Sequence, residues 1–219
     1  MHPSRKGLII WGAAGHAKVL RECLPPEFEL MAVFDNSPTA SSPFANTPLY
    51  VGTDGFYRWL GRGDARQTSF LLAIGGDKGR DRLALHVMLE QQGLIPLSVV
   101  HPAAFVANSA RIGAGCQVLA GASVCVDVAL GIQTIVNTNA SVDHECVIGA
   151  GVHIAPGATL AGCVEVGEGA MVGVGAVVLP HLKVGADAIV GAGAVVVKNV
   201  PDNVIVYGNP ARVIRTRGS

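Results

Sequence analysis

Between Val106 and His153 the chain reads VANSAR IGAGCQ VLAGAS VCVDVA LGIQTI VNTNAS VDHECV IGAGVH, and every six-residue unit opens with an aliphatic residue. The same period continues to Val196. The aliphatic positions are Val106, Ile112, Val118, Val124, Leu130, Val136, Val142, Ile148, Ile154, Leu160, Val166, Val172, Val178, Val184, Val190 and Val196. A six-residue period sustained over this range predicts a parallel β-helix with three units in each triangular coil.

Two other positions of the unit support this prediction. Small residues such as Ala122, Ala140 and Cys146 stand two places before the aliphatic residue and can share its core. Three places after it, Gly, Asn or Asp recurs, and these residues tolerate the left-handed backbone of a tight corner. The corner residues are Gly115, Gly121, Asp127, Asn139, Gly151, Gly157, Gly169, Gly175, Asp187 and Gly193. An alternating β-sandwich joined by hairpins would not keep such a register.

The charge balance and the cysteines exclude several classes of partner. Sixteen Lys and Arg match sixteen Asp and Glu, and without a long basic run we expect no nucleic-acid partner. The apolar stretch after Lys6 is too short for a signal peptide or a membrane span, so we expect a cytoplasmic protein with no membrane partner. The five cysteines contain no C-x-x-C, which predicts inert thiols with neither a disulfide framework nor a metal cage.

The first hundred residues are of the α/β type. A buried strand over residues 8–11 leads into Gly12-Ala13-Ala14-Gly15-His16 and then a helix, and Asp35 closes the next apolar strand. A glycine turn before a helix can bind phosphate, so this βαβ unit favours a nucleotide, although a plain structural turn remains the alternative. Further strands are predicted at residues 70–74 and 97–100.

We therefore predict a Rossmann-like nucleotide-sugar-binding domain over residues 1–100. A β-helix that binds acetyl-CoA and carries the catalytic residues would follow over residues 101–200, with a tail over residues 201–219. His101-Pro102 breaks the pattern between the two domains.

One part of the repeat is polar where its neighbours are small. Asn137 is followed by Asp143, His144 and Glu145. A histidine titrates near neutral pH and can take a proton from an attacking amine or hydroxyl, while a flanking carboxylate stabilises the charged ring. The alternative is an exposed corner histidine without a role. The clustered polar residues favour the catalytic hypothesis.

The whole chain resembles the bacterial sugar-nucleotide N-acetyltransferases of the PglD and NeuD type. The resemblance rests on the G-x-x-G-H turn, on the run NTNASVDHEC at Asn137–Cys146 and on the ending GNPAR at Gly208–Arg212. It implies that the β-helix is left-handed. It also implies a homotrimer with active sites between subunits, acetyl-CoA as co-substrate and no metal.

The resemblance further implies the site residues. His144 would be the general base and Glu145 its acidic neighbour. Contacts to the nucleotide-linked amino sugar would come from Gly12, Gly15, His16, Asp35, Asn36, Arg80, Asn137 and Asp143. Contacts to acetyl-CoA would come from His153, Gly162, Val174, Ala192 and Lys198.

The expected reaction is direct transfer of the acetyl group to the amine of a 4-amino-4,6-dideoxy sugar. A sugar O-acetyltransferase with a sialic-acid-like acceptor would use the same base. A non-catalytic nucleotide-sugar binding protein would not need the polar cluster, and an acceptor without a nucleotide, such as serine, would not need the glycine turn. The residues do not distinguish UDP, GDP and dTDP.

Overall fold

The computed structural model describes residues 6–61 and 67–218. The chain forms two compact units, one containing the residues up to Ile74 together with Ala84–Ser98, the other containing Gly75–Leu83 and the residues from Val99 onward. Residues 1–5, which begin the amino-terminal stretch used to predict the location in the cell, lie outside the described residues. None of the described helices is long and apolar enough to cross a membrane.

The first unit is built on a parallel five-stranded sheet. Its strands are β1 (Lys6–Trp11), β2 (Phe28–Asp35), β3 (Leu49–Val51), β4 (Ser69–Leu72) and β5 (Ile95–Pro96). The helices are α1 (Gly15–Glu22), α2 (Gly52–Leu60) and α3 (Gly79–Gln91). The first turn of α3 belongs to the second unit. The strand order is β3-β2-β1-β4-β5. Residues 8–11 of β1 are all buried, because helices cover both faces of such a sheet.

The last strand predicted in this region is wrong. Residues 97–100 do not form one strand, because β5 ends the sheet at Pro96 and the next strand, Val99–Val100, pairs within the second unit. The third strand is shorter than predicted and ends at Leu72. The short strand β3 was not predicted at all, since it has only three residues.

The second unit consists mainly of two-residue strands, one in each six-residue unit. In chain order they are β6 (Val99–Val100), β7 (Phe105–Val106), β8 (Arg111–Ile112), β9 (Gln117–Val118), β10 (Ser123–Val124), β11 (Ala129–Leu130), β12 (Ile135–Val136), β13 (Ser141–Val142), β14 (Val147–Ile148), β15 (His153–Ile154), β16 (Thr159–Leu160), β17 (Glu165–Val166), β18 (Met171–Val172), β19 (Val177–Val178), β20 (Lys183–Val184), β21 (Ile189–Val190) and β22 (Val195–Val196), followed by β23 (Val204–Tyr207) and β24 (Arg212–Thr216).

These strands stack into three parallel sheets, and from β6 to β22 each strand residue pairs with the one 18 positions on. Ser123 pairs with Ser141, which pairs with Thr159. The sheet orders are β22-β19-β16-β13-β10-β7, β20-β17-β14-β11-β8 and β24-β23-β21-β18-β15-β12-β9-β6, with only β24 antiparallel to its neighbour. Three strands thus make one 18-residue coil, so the predicted coil of three six-residue units is confirmed.

The predicted core and corners of the coils are also confirmed. From Val118 to Val196 all the aliphatic positions are buried, and Val106 and Ile112 of the first coil are partly buried against them. The ten predicted corner residues all have φ near +60° to +70°. Four more corners have this backbone although their residues are not the Gly, Asn or Asp that predicted the other turns. They are Gln133, Glu145, Cys163 and His181.

Candidate active site

One edge of the β-helix contains no glycine at the left-handed position of its corners. The edge is formed by residues 18 positions apart, Asp127, Glu145, Cys163 and His181, whose φ values are 59°, 59°, 60° and 60°. Left-handed backbone costs an L-residue about 1 kcal/mol or more. The two other edges relieve most of this cost with glycine. We call this the His144 edge. Its corner residues carry side chains in spite of a backbone penalty, which marks the edge as a candidate functional site.

His144 and Glu145 form a hydrogen-bonded pair on this edge. The imidazole Nδ1 lies 3.0 Å from the Glu145 Oε2, and the two side chains are 53% and 62% exposed. The backbone N–H of His144 donates to the Asp143 Oδ1 at 2.7 Å. With the Nδ1 proton directed to the carboxylate, the Nε2 atom keeps its lone pair. This is the geometry of a general base held by an acidic neighbour.

The imidazole lies directly against Gly162, one coil later in the chain. A Cβ atom at position 162 would approach the His144 Nε2 to 2.4 Å and the Cε1 to 2.5 Å. Gly162 is buried, and only a residue without a side chain leaves this space to the ring. The structure therefore gives Gly162 a contact with the candidate base, beyond its predicted place beside acetyl-CoA.

Cys163 follows Gly162 and joins the same cluster. Its Sγ atom donates to the Glu145 Oε2 at 3.7 Å. Desolvation, and then the charge of Glu145, raises the pKa of this thiol, so the thiol stays protonated at neutral pH. His144, Glu145 and Cys163 each offer a ligand atom within 4.8 Å of the others. Sequence reasoning missed Cys163, although the 18-residue period would have placed it above Glu145.

Asn137 and His153 form a second polar group on an adjacent part of the β-helix. His153 is only 5% exposed, its Nδ1 accepts the Gly76 N–H at 2.8 Å, and its Nε2 lies 3.0 Å from the Asn137 Nδ2. The Asn137 Oδ1 accepts the Thr138 N–H at 2.8 Å. Both ring nitrogens of His153 are thus engaged by the protein, which leaves His144 as the better placed proton acceptor.

Arg80 is bound by two carboxylates. Its Nε and Nη2 donate to Asp187 at 2.9 Å and 2.7 Å, and its Nη1 pairs with Glu168. The hydrogen bond from Arg80 lowers the pKa of Asp187. A phosphate at Arg80 would have to share the guanidinium with these acids.

Arg82, which sequence reasoning did not single out, is fully buried. Its guanidinium donates to the Gly151 carbonyl at 2.6 Å and to the Gln133 carbonyl at 3.3 Å. Burial lowers the pKa of Arg82 to about 10. Arg82 therefore fastens residues 75–83 to two successive coils.

In the first unit the glycine turn is tightly packed. Gly12 has φ 108°, and a Cβ there would lie 2.5 Å from the Ala73 carbonyl oxygen. Asp35 accepts the Ala13 N–H at 2.7 Å and the Ser37 N–H at 2.8 Å. The carboxylate thus joins the turn after β1 to the end of β2, at the carboxyl ends of parallel strands, where such sheets bind ligands.

The other residues of the first unit that were predicted to contact the nucleotide sugar are Gly15, His16 and Asn36. Gly15 is exposed at the start of α1, whose amino terminus has no side-chain cap. His16 follows in the first turn, and Asn36 is exposed directly after Asp35. An uncapped helix amino terminus can receive an anion on its backbone N–H groups.

The predicted acetyl-CoA residues lie on two edges of the β-helix. Gly162 and Lys198 share the His144 edge, while Val174 and Ala192 stack one coil apart on the edge with the corners Gly175 and Gly193, which we call the Val174 edge. Val174 is 54% exposed. Lys198 also lines a cavity of about 260 Å³ together with Asn199, Arg212 and apolar residues.

The two-residue strands of the sheet between these two edges contain no charged residue, and the exposed Asp143 lies just beyond one of them, at the His144 edge. The outward side chains of these strands are Phe105, Ser123, Ser141, Thr159, Val177 and Val195, and we call the sheet the uncharged sheet. The sheet on the other side of the His144 edge instead exposes Arg111, Glu165 and Lys183. A sheet whose strands present no charged side chains is suited to contact with another protein surface.

Coils of hexapeptides with a histidine–glutamate pair at an edge are features expected of a hexapeptide-repeat acyltransferase. No family model matches the chain. The GDP-perosamine N-acetyltransferase of Escherichia coli O157:H7 is 36% identical over 95 residues, which are 43% of this chain and 42% of that protein. The matched part thus spans less than half the length of this curated relative.

Solved structures match over nearly the whole chain. A perosamine N-acetyltransferase from Caulobacter crescentus, a histidine-to-asparagine variant in complex with CoA and GDP-perosamine, is 37% identical with a TM-score of 0.85, and the match covers 95% of this chain and 97% of that chain. The acetyltransferase domain of PglB from Neisseria gonorrhoeae FA1090, in complex with acetyl coenzyme A, is 32% identical with a TM-score of 0.84 over 96% and 100%. The chain belongs to the sugar N-acetyltransferases of the hexapeptide-repeat family.

Proposed function

We propose that this chain is an acetyl-CoA-dependent N-acetyltransferase that acts on a nucleotide-linked amino sugar with His144 as general base. The observation that carries the proposal is the His144–Glu145 pair, with Nδ1 bound to the carboxylate and Nε2 held beside Gly162. The Caulobacter relative is named for perosamine, and its structure contains CoA and GDP-perosamine. A GDP-linked 4-amino-4,6-dideoxy sugar is therefore the preferred acceptor.

The proposed reaction is direct transfer without an acyl-enzyme. The sugar amine attacks the thioester carbonyl carbon, and the His144 Nε2 takes a proton from the nitrogen as the new C–N bond forms. Glu145 stabilises the resulting imidazolium. The tetrahedral intermediate then breaks its C–S bond, and the leaving thiolate of CoA receives the proton from His144. Positioning of two bound reactants supplies much of the rate.

The first unit is proposed as the Rossmann-like nucleotide-binding domain. The strand order reverses between β1 and β4, and ligands of doubly wound sheets bind at such a point. Gly12, Gly15 and His16 would line the phosphates, while Asp35 and Asn36 would face the ribose or base. Arg80 is the least supported of these residues, because Asp187 and Glu168 already hold it.

The second unit is proposed as a left-handed β-helix that binds acetyl-CoA. The predicted cofactor residues lie on the His144 edge and on the Val174 edge, with the uncharged sheet between them. A groove that uses both edges is formed most simply when the His144 edge of one subunit meets the Val174 edge of the next. We therefore propose a homotrimer that packs through the uncharged sheets, with Lys198 near the phosphates of CoA.

The remaining polar residues are assigned to the acceptor and the thioester. Asn137 and Asp143 would contact the sugar, and His153 would lie beside the thioester as a binding residue. Both co-substrates are metabolites of the cytoplasm, so the proposal places the protein there.

The test is an acceptor panel with purified protein and acetyl-CoA. Acetylated product would be identified by mass spectrometry with UDP-, GDP- and dTDP-linked 4-amino-4,6-dideoxy sugars, with the matched 4-hydroxy sugars, and with free sialic acid. We expect product from the GDP-linked amino sugar and none from its 4-hydroxy counterpart. Product from sialic acid or from the hydroxy sugars alone would overturn N-acetylation in favour of O-acetylation.

A further inference from the structure

The His144 edge brings together three different metal-binding groups. The imidazole of His144, the carboxylate of Glu145 and the thiol of Cys163 each present a ligand atom within 4.8 Å of the other two. All three belong to residues that are at least partly exposed. The proposed transfer reaction uses the first two groups but gives no role to Cys163, although this cysteine occupies a left-handed corner where glycine would be less strained.

Two of the three distances between the ligand atoms lie near the edge lengths of a tetrahedral zinc site. Bonds of about 2.3 Å to sulfur and about 2.0–2.2 Å to nitrogen and oxygen place tetrahedral ligands about 3.3–3.6 Å apart. The Nδ1 of His144 lies 3.0 Å from the Glu145 Oε2, and the Sγ of Cys163 lies 3.7 Å from the same oxygen. Small rotations of exposed side chains would bring all three atoms onto one ion.

We propose that His144, Glu145 and Cys163 form an inhibitory binding site for Zn²⁺. A thiolate with an imidazole selects zinc over magnesium, which prefers oxygen ligands in octahedral geometry. The negative charge of Asp143, which acts on the Cys163 thiol, adds attraction for a cation. Three protein ligands leave the fourth position of the ion open to water.

The ion would remove the base from the reaction. When Zn²⁺ takes the lone pair of Nδ1, the single proton of the neutral ring stands on Nε2, and the thiol proton of Cys163 leaves to solvent. Nε2 then has no lone pair to accept a proton from the acceptor amine. This inhibition rests on the proposed role of His144, whereas the binding itself does not.

The binding test uses full-length protein freed of metal, with no substrate present. Zn²⁺ is titrated in competition with a chromogenic chelator, and Co²⁺ serves as a spectroscopic probe of thiolate coordination. Wild type is compared with Cys163→Ser, Glu145→Gln and the matched control Cys125→Ser. Cys125 is a partly buried thiol one coil before Asp143. Thermal unfolding of each variant checks that it is folded.

We expect one Zn²⁺ per chain, a thiolate-to-cobalt absorption band, and no competition by Mg²⁺. Cys163→Ser and Glu145→Gln should each raise the Kd for Zn²⁺ by more than about tenfold, while Cys125→Ser should bind like wild type. Equal affinity of wild type and Cys163→Ser, or a cobalt complex without the thiolate band, overturns the site. Zn²⁺ that binds as expected without slowing acetyl transfer would leave the binding site standing but overturn its inhibitory effect and, with it, the role of His144 as base.

Discussion

The imidazole of His144 occupies the space that a side chain at position 162 would need, since a Cβ on Gly162 would lie 2.4 Å from the Nε2 atom. The two residues are separated by one coil of the β-helix. Two features therefore set the orientation of the candidate base. Its Nδ1 is hydrogen-bonded to Glu145, and its Nε2 lies in the space that Gly162 leaves open.

Gly162→Ala should therefore displace the ring without unfolding the protein. The backbone at position 162 does not have a positive φ, and the exposed imidazole can move away. We expect kcat to fall by about 10²-fold, as misplacement of a catalytic group by about 1 Å can cause, with little change in the unfolding temperature. Gly61→Ala is the control, because a Cβ there makes only ordinary contacts. Full activity of Gly162→Ala would show that the ring position does not matter.

Asp35→Ala should weaken nucleotide-sugar binding selectively. Removing a charged hydrogen-bond acceptor costs about 1.5–3 kcal/mol, which corresponds to a rise in Kd of about 10–100-fold. Calorimetry with GDP-sugar and with acetyl-CoA measures the two affinities separately, and only the first should change. The unfolding temperature should also fall, because Asp35 accepts the Ala13 N–H. Asp54→Asn, on α2 of the same unit, is the control. An unchanged GDP-sugar affinity would refute the assignment of Asp35.

Asp187→Asn should make stability less dependent on pH. Arg80 holds the pKa of Asp187 below its ordinary value, so the carboxylate stabilises the fold above about pH 3.9 and this contribution is lost as the pH falls through the depressed pKa. Urea unfolding at pH 7 should show a loss of about 0.5–1 kcal/mol that vanishes in strong acid, a small value because Arg80 is half exposed and solvent screens the pair. The double variant with Arg80→Gln should lose less than the sum of the single variants. Additive losses would mean that the pair is not coupled.

Thr159→Arg should dissociate the proposed homotrimer. Thr159 points outward from the uncharged sheet, and a buried unpaired charge in an interface is strongly unfavourable. Sedimentation of wild type should give the mass of three chains, and the variant should sediment as a single chain. Glu165→Arg, on the charged sheet, is the control and should leave the mass unchanged. A wild-type protein that sediments as one chain would remove the basis for a shared site.

Much of the β-helix was predictable because its period is exact in sequence. Stepping six residues from Val106 gave the inward aliphatic positions, and three more residues gave the corners with left-handed backbone. The period also reaches the remaining corners, but the residue types found there, such as Glu145 and Cys163, gave no turn signal. Residue propensities do not predict a glutamate or a cysteine at a corner with left-handed backbone.

The candidate site was predictable where its residues are neighbours in sequence. His144 and Glu145 are adjacent, whereas the contact with Gly162 depends on the coil length. The anchoring of residues 75–83 by Arg82 could not be predicted, because it joins carbonyl groups far away in the chain. The strand predicted at residues 97–100 failed because two strands of different sheets meet there.

The decisive measurement is the rate of acetyl transfer to the GDP-linked amino sugar by wild type and by His144→Asn, a variant of similar shape that cannot accept the proton. Affinities for both substrates are measured in parallel by calorimetry. We predict a fall in kcat of about 10²–10⁴-fold with both affinities retained. A fall of much less than about tenfold, with the substrates still bound, would contradict His144 as the general base.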